Sequence, residues 1–405
     1  MEHVYVGVDW GTREHHVHVL EGPKPARWVV KHTASGLREL CERLLAYGAD
    51  QVMVAVERPD GLLVEAMVQA GFRVFHVNPK QLDRFRDRFR MAAVKDDALD
   101  AQVLAHSLKT DGILFNEVPR LEAWEQELRA LTRAEVVLGQ QVKAQAARLA
   151  ALVSGYFPQL LSVVKSFART DWALDLLEAC PSQAAAVTAS DEDLSRILAR
   201  TKLTVADVRH ALADGTFHVA PGLAEAGPFQ AELLIEQLRM LRRQQKAVNA
   251  RMGAILKEQE RVAAAAEPSR TCDIAVLRSQ PGVGDKLLAG LLAEAPQLLR
   301  SRDYRRLRAV AGVAPTTRRT GRMRPTTAMR RACSAPLRRV MHLIAGGAVT
   351  SDPKFRALYV AARGRGHGHA RALRTVADRL LAVMCACLRD GQPFDGERAA
   401  GRVST

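Results

Sequence analysis

Residues 4–11 read VYVGVDWG, and this stretch decides how the first third of the chain is understood. Val4, Val6 and Val8 alternate, as one face of a half-buried strand does, and the pattern stops at an acid, Asp9. After a polar turn the alternation resumes in HHVHVLEG (15–22) and again, past a Pro-containing turn, in ARWVV (26–30). Three antiparallel strands are the simplest reading. GLRELCERLLAYG (36–48) then has helical spacing, QVMVAVE (51–57) is an apolar run ending on Glu57, LLVEAMVQAG (62–71) is helical, and FRVFHV (72–77) is a short strand. A meander of strands followed by alternating helices and strands describes a ribonuclease-H-like α/β layout. His15, His16 and His18 alternate beside Val17 and Val19 and are expected to form an exposed polar face, not a metal site.

Beyond Asn78-Pro79 the chain turns helical and basic (QLDRFRDRFRMAAVK, 81–95) and enters another helix, DDALDAQVLAHSL (96–108). Two long, charged, Pro-free helices are predicted over about 121–155 and 231–262. Each exceeds ordinary globular length, so the two are expected to pack as a helical hairpin or coiled coil. Smaller helices without assignable chemistry lie between them. The Ala-rich AAAAEPSR (263–270) reads as a linker, and a final helical domain begins near Ile274. The predicted organisation is an α/β domain over 1–115, a helical middle over 116–266, a basic helical domain over 267–395 and a tail over 396–405.

The 405 residues carry 59 Lys and Arg against 44 Asp and Glu, a net charge of +15. Such an excess favours a polyanionic partner, because each neutralised phosphate releases a condensed counterion. No stretch approaches the roughly 18 uninterrupted apolar residues of a membrane span, and a cytoplasmic, nucleoid-associated protein with no membrane partner is expected. Six scattered cysteines, with no paired CxxC spacing, read as reduced thiols; Cys385 and Cys387 lie in an apolar helix and are expected to be packing residues.

Asp9 and Glu57 each close a strand, and side chains at neighbouring strand ends converge. Two carboxylates brought together without a partner are costly to bury, and a divalent cation would offset that cost. Asp97 and Asp100 are three apart on a helix and are expected to face one side, with Asp96 turned away as a solvated neighbour. Four hard oxygen donors suit Mg²⁺ or Mn²⁺. Two such cations roughly 3.5–4 Å apart can clamp the attacking and leaving oxygens of a phosphodiester.

The C-terminal domain carries the other half of the chemistry. Pro281-Gly282-Val283-Gly284 resembles a helix-hairpin-helix turn, whose glycines permit close backbone approach and whose following amides can hold a phosphate. Between Tyr304 and Ser351 there is no acid, while Arg318, Arg319, Arg322, Arg324, Arg330 and Arg331 stand among other arginines. Ordinary surfaces mix both signs, so this is read as a phosphate-backbone track. Within it, APTTRRTG (314–321) places hydroxyls beside guanidiniums, the groups needed for attack on a phosphodiester and for stabilising its charge. GRGHGHARA (364–372) reads as a flexible basic arm.

Taken in order, VGVDWG, VAVERP, KDDALDA, QPGVG and GVAPTTRRTG resemble the DEDD transposases of insertion sequences related to the Piv invertase, the bridge-RNA-guided serine recombinases. The resemblance spans nearly the whole chain. It implies a RuvC-like first domain, a coiled-coil middle and a C-terminal transposase domain. The family's Lys-x-Asp-x-x-Asp-Ala pattern falls on Lys95, Asp97, Asp100 and Ala101, and so selects Asp97 over Asp96. It further implies a nucleophilic hydroxyl that forms a covalent phospho-protein intermediate and Mg²⁺ at the DEDD site, often of another protomer; the long helices and a site split between domains suggest a homodimer or homotetramer. A structured noncoding guide RNA would choose donor and target DNA by base pairing. Where the family carries Ser before Gly, this chain has Thr320 before Gly321, with the same hydroxyl on a more crowded carbon; Ser334 is the fallback. Two other classes stand beside this one: a junction-resolving or nicking nuclease using metal-activated water, and a basic RNA-binding or architectural protein.

Overall fold

The computed structural model describes residues 3–22, 24–88, 96–213, 215, 217–267, 271–318 and 326–396. The chain divides into two compact units, Met1–Leu121 and Glu122–Thr405.

The first unit is built on one sheet. β1 (Val4–Asp9), β2 (Glu14–Leu20) and β3 (Ala26–Lys31) form the antiparallel meander, followed by α1 (Ala34–Leu45), β4 (Val52–Val56), α2 (Leu62–Gln69), β5 (Arg73–His76), α3 (Pro79–Arg86), α4 (Asp97–Asp111) and a short β6 (Asn116–Glu117). The strand order is β3-β2-β1-β4-β5-β6, with β4 and β5 parallel to β1 and β6 antiparallel at the edge. This mixed α/β arrangement is consistent with the ribonuclease-H-like layout.

Residue alternation sorts the two faces of the sheet. Val4, Val6, Val8, Val52, Val54 and Val56 pack with Leu37, Leu40 and Leu44 of α1 and Leu63, Val64 and Met67 of α2. The opposite residues, Tyr5, Met53, Ala55 and Phe75, pack with Leu82 of α3 and Val103, Leu104 and Leu108 of α4. Gly7 explains how closely α4 lies on β1. A Cβ there would sit 2.0 Å from the Ala101 carbonyl oxygen and 2.5 Å from the Ala105 nitrogen, so only glycine lets helix and strand meet.

With both faces covered, most of β2 is buried, His16 only partly, and the exposed polar histidine face is not what forms. His15 and His18 are 0% and 1% exposed. His15 Nε2 lies 2.8 Å from His32 Nδ1, and His18 Nδ1 accepts from Arg27 Nε at 3.0 Å. Burial, reinforced by His32 at His15 and by Arg27 and His106 at His18, lowers both imidazoles to about 4.

Among the described residues, the second unit is helical apart from one hairpin. α5 (Ala123–Tyr156) leads into α6 (Leu160–Val163), α7 (Asp171–Ala179), α8 (Gln183–Thr188), α9 (Asp191–Leu198) and α10 (Val205–Ala213), and α11 (Pro221–Ala266) returns. The Ala-rich 263–266 read as linker are the last turn of α11, and the helix also tolerates Pro228 near its start. At 46 residues it is about 70 Å long. α5 and α11 run antiparallel, tied by Arg251–Glu127, Gln245–Glu135 and Gln145–Gln237. One core, including Leu149, Phe157, Leu174 and Ile235, lies where the short helices pack against the far end of this pair. The other, including Leu128, Leu256, Leu288, Ile344 and Leu380, joins its near end to the C-terminal helices.

Those helices are α12 (Asp273–Arg278), α13 (Asp285–Glu294), α14 (Pro296–Arg300) and α15 (Tyr304–Val310), then the hairpin β7 (Pro315–Arg318) and β8 (Thr326–Met329), then α16 (Ala335–Ser351), α17 (Pro353–Gly364) and α18 (His369–Asp390). Residues 364–372, read as a flexible basic arm, are instead the end of α17, the turn 365–368 and the first turn of α18. Cys385 is buried in this core, which pushes its thiol up to about 11, and no described cysteine is in a disulfide. No described helix is long and apolar enough to cross a membrane.

Candidate functional site

Asp9 is the last residue of β1, and Glu57 follows the last residue of β4. The two strands are parallel, with Val8 opposite Val56, so both acids stand at the carboxyl end of adjacent strands. Both also belong to the alternation of Gly7 and Ala55, which places them on the α4 face. The next residues draw the two ends together: the Arg58 guanidinium lies 4.3 Å over the Trp10 ring. A cation–π contact of this kind contributes about 0.5–2 kcal/mol. The sequence offered only the juxtaposition of an aromatic and a cation directly after each acid. Asp9 faces His16 across the β1–β2 ladder, and burial holds His76, hydrogen-bonded to the Glu57 main chain, below the ordinary histidine range.

The helical pair behaves differently from its spacing. α4 starts at Asp97, so Asp97 and Asp100 lie in its first turn, where carboxylates also favour the helix dipole. Asp97 is exposed, whereas Asp100 is 2% exposed. Asp96 is the N-cap of the helix, accepting from the Ala98 amide at 3.1 Å. Asp100 is held by Arg86 of α3: Nε contacts Oδ1, and Nη2 contacts Oδ2 at 2.6 Å. Arg86 also reaches Asp83 at 2.7 Å and feels the charge of Glu57. These carboxylates keep the guanidinium pKa above its ordinary value, Asp100 most strongly. A guanidinium thus neutralises Asp100, where the sequence led to the expectation of a metal ion.

The donor set therefore fits a divalent metal in part. Asp9 and Glu57 supply two hard oxygen donors on one face, but both oxygens of Asp100 are committed to Arg86, and among the described residues no three His, Cys, Asp or Glu side chains are grouped to hold a metal.

In the second unit, Arg318 ends β7, opposite Thr326 of β8, and Thr316 Oγ1 donates to the Ala328 carbonyl at 3.1 Å. Thr320, Arg319, Arg322 and Arg324 fall in 319–325, outside the described residues, as does Lys95. Arg331 is exposed, and the half-buried Arg330 donates to the Ala332 carbonyl. Ser334 is the N-cap of α16, accepting from the Leu337 amide at 3.3 Å, which gives its hydroxyl a structural task in the fold. The glycine turn is also structural. Gly282 has φ +78° and a Cβ there would lie 2.4 Å from the Ile344 carbonyl oxygen, so its close approach is to α16. The start of α13 already carries a carboxylate, Asp285, paired with Arg278.

Family models match stretches of both units, the first running on past Leu121 into α5. A transposase model, the DEDD transposase domain of IS110-type elements, matches residues 6–158, and a model described as "Transposase IS116/IS110/IS902 family" matches residues 274–360. The "Mini-circle putative transposase for IS117" of Streptomyces coelicolor is 30% identical over 424 aligned residues, covering 98% of this chain and 96% of that protein. The "Insertion element IS110 uncharacterized 43.6 kDa protein" of the same organism is 27% identical, covering 98% and 97%. "Putative transposase y4uE" of Sinorhizobium fredii is 35% identical over half of this chain, which spans 57% of that relative. The chain belongs to the IS110/IS116 family of insertion-sequence transposases.

Proposed function

We propose that this transposase excises and inserts its own element through a covalent hydroxyl–phosphodiester intermediate, with Thr320 as the nucleophile and a structured noncoding RNA selecting the DNA. The observation that carries the reading is the placement of Asp9 and Glu57 side by side at the carboxyl ends of β1 and β4, in a chain of this transposase family. The first unit is read as RuvC-like, and the family as related to the Piv invertase and of the serine-recombinase type.

Asp9 and Glu57 would hold Mg²⁺ or Mn²⁺, with Asp97 and Asp100 completing the set once Arg86 releases Asp100. The cation when bound would supply Lewis-acid stabilisation of charge on the phosphodiester oxygens. The chain's own groups divide the remaining tasks. The Arg58–Trp10 clip fixes the spacing of the two strand ends, so that Asp9 and Glu57 need little reorganisation to act together. Arg318, Arg319, Arg322, Arg324, Arg330 and Arg331 engage phosphates. The Thr320 oxygen would bond to phosphorus and give up its proton to solvent while the P–O bond to the sugar breaks and that sugar leaves as a hydroxyl; a sugar hydroxyl of the exchanged strand would then attack the phospho-threonine, re-forming the phosphodiester and returning the Thr320 hydroxyl. Homodimers or homotetramers would bring the DNA ends together.

Asp9→Ala and Thr320→Ala are each expected to abolish recombination of a two-plasmid substrate while nucleic-acid binding persists. Normal recombination by either variant overturns the proposal. Cleavage retained in Thr320→Ala would point to a junction-resolving nuclease with metal-activated water.

A further inference from the structure

The arginines of the second unit fall into two groups. Arg278, Arg300, Arg302 and Arg308 are each paired with carboxylates. Three others gather without one. Arg338 lies in the first turn of α16, and Arg371 and Arg374 lie in the first two turns of α18, which packs against it. The Arg338 stem is fixed by the tight turn at Gly312, whose missing Cβ would sit 3.3 Å from the arginine Cδ. Arg374 is half-buried and donates to the Met329 sulfur of β8 at 3.6 Å, a weak acceptor for a guanidinium. Burial, then the charges of Arg371 and Arg338, drag its pKa below the usual arginine range. His342, one turn beyond Arg338, is likewise depressed by burial and then by His369 and Arg374.

The nearest acid along α18, Asp378, cannot relieve this cluster. Its oxygens are taken by Arg308 and by the Tyr304 hydroxyl. Among the described residues no carboxylate pairs with Arg338, Arg371 or Arg374, and the chain from Tyr304 to Ser351 contains none. Packing like charges in a partly desolvated place costs stability unless an anion offsets it.

We propose that Arg338, Arg371 and Arg374 form a phosphate-binding site that grips the sugar–phosphate backbone of the nucleic acid, beside the β7–β8 hairpin. Planar guanidiniums with unspent donors match a phosphodiester's oxygens, and three of them on two packed helices hold it in a set position. The inference rests on nucleic acid being the partner, and it adds anchoring residues outside the arginine-rich hairpin.

The test is a titration of the full chain against fluorescent short duplex DNA, and separately against single-stranded RNA of the same length, across a KCl series. The variant Arg338→Gln/Arg371→Gln/Arg374→Gln is expected to bind about tenfold or more weakly, with the slope of log affinity against log salt flatter by roughly 0.9 for each duplex phosphate lost. A loss confined to one probe identifies which backbone the site holds. The variant's unfolding midpoint is expected to equal or exceed the wild type's, because removing mutually repelling charges relieves the fold. Should that midpoint fall, Arg371→Glu, an exposed position, must still weaken binding. Unchanged affinity and slope in the triple variant, or in Arg371→Glu, overturns the site, and it does so whether or not the covalent intermediate exists.

Discussion

Arg86 occupies, at Asp100, the place a divalent cation would contest. Breaking a buried ion pair by removing one partner costs about 3–5 kcal/mol, because the remaining charge loses its compensation. Arg86→Met is therefore expected to lower the unfolding midpoint in chelator, and Mn²⁺ is expected to raise that midpoint more in the variant than in the wild type. An equal Mn²⁺ response in the two proteins contradicts the view that arginine and metal compete for the same carboxylate. His15 and His18 make a second residue-scale prediction. Their folded-state values, about 4, lie below the ordinary 6.5, so the unfolded chain binds more protons between those limits. Stability is fully present above pH 6.5 and is lost as pH falls toward 4, by up to about 3 kcal/mol for each ring. The unfolding midpoint followed across this window should fall with acid, and His18→Gln should flatten the dependence. Asp9 and Glu57 were legible in the sequence because strand alternation ends on each. Arg86 was not, since nothing in its spacing says that α3 folds back onto Asp100.

At the scale of elements, the decisive contact is α4 against β1. The sequence marked Gly7 only as one letter of a strand, and a strand glycine has several readings; the close passage of a helix backbone is visible only once α4 is placed. Gly7→Ala drives a methyl group into the Ala101 carbonyl. Overpacking costs typically 1–3 kcal/mol, and a rigid backbone neighbour puts this case at about the upper end or beyond. Urea denaturation should show a midpoint well below wild type, and an unchanged midpoint would mean that α4 does not sit where described. The histidine face failed for a related reason. A period of two cannot distinguish a strand with one wet face from a strand covered on both, and β2 is covered by α4 on one side and by the α1–α2 layer on the other. The glycine turn before α13 likewise reads as a ligand-binding loop until Gly282 is found against Gly347 of α16, with their atoms 2.9 Å from an added Cβ.

The whole molecule places the carboxylates in Met1–Leu121 and the hydroxyl-bearing hairpin in the helical unit that follows. Asp9→Asn is accordingly expected to leave nucleic-acid backbone binding within about twofold of wild type, since the proposal assigns that binding to the arginines of the second unit. A large loss of DNA affinity in Asp9→Asn would contradict this division of labour. The two long helices were readable from their lack of breakers and their charged periodicity, although the tolerance of α11 for Pro228 was not. The measurement that bears most directly on the account combines purified protein, the element's noncoding RNA, Mg²⁺ and end-labelled junction DNA, resolved on a denaturing gel. The account predicts a labelled protein–DNA adduct that is absent with Thr320→Ala and with Asp9→Asn; DNA cleaved without any adduct, or an adduct that survives Thr320→Ala, would contradict it.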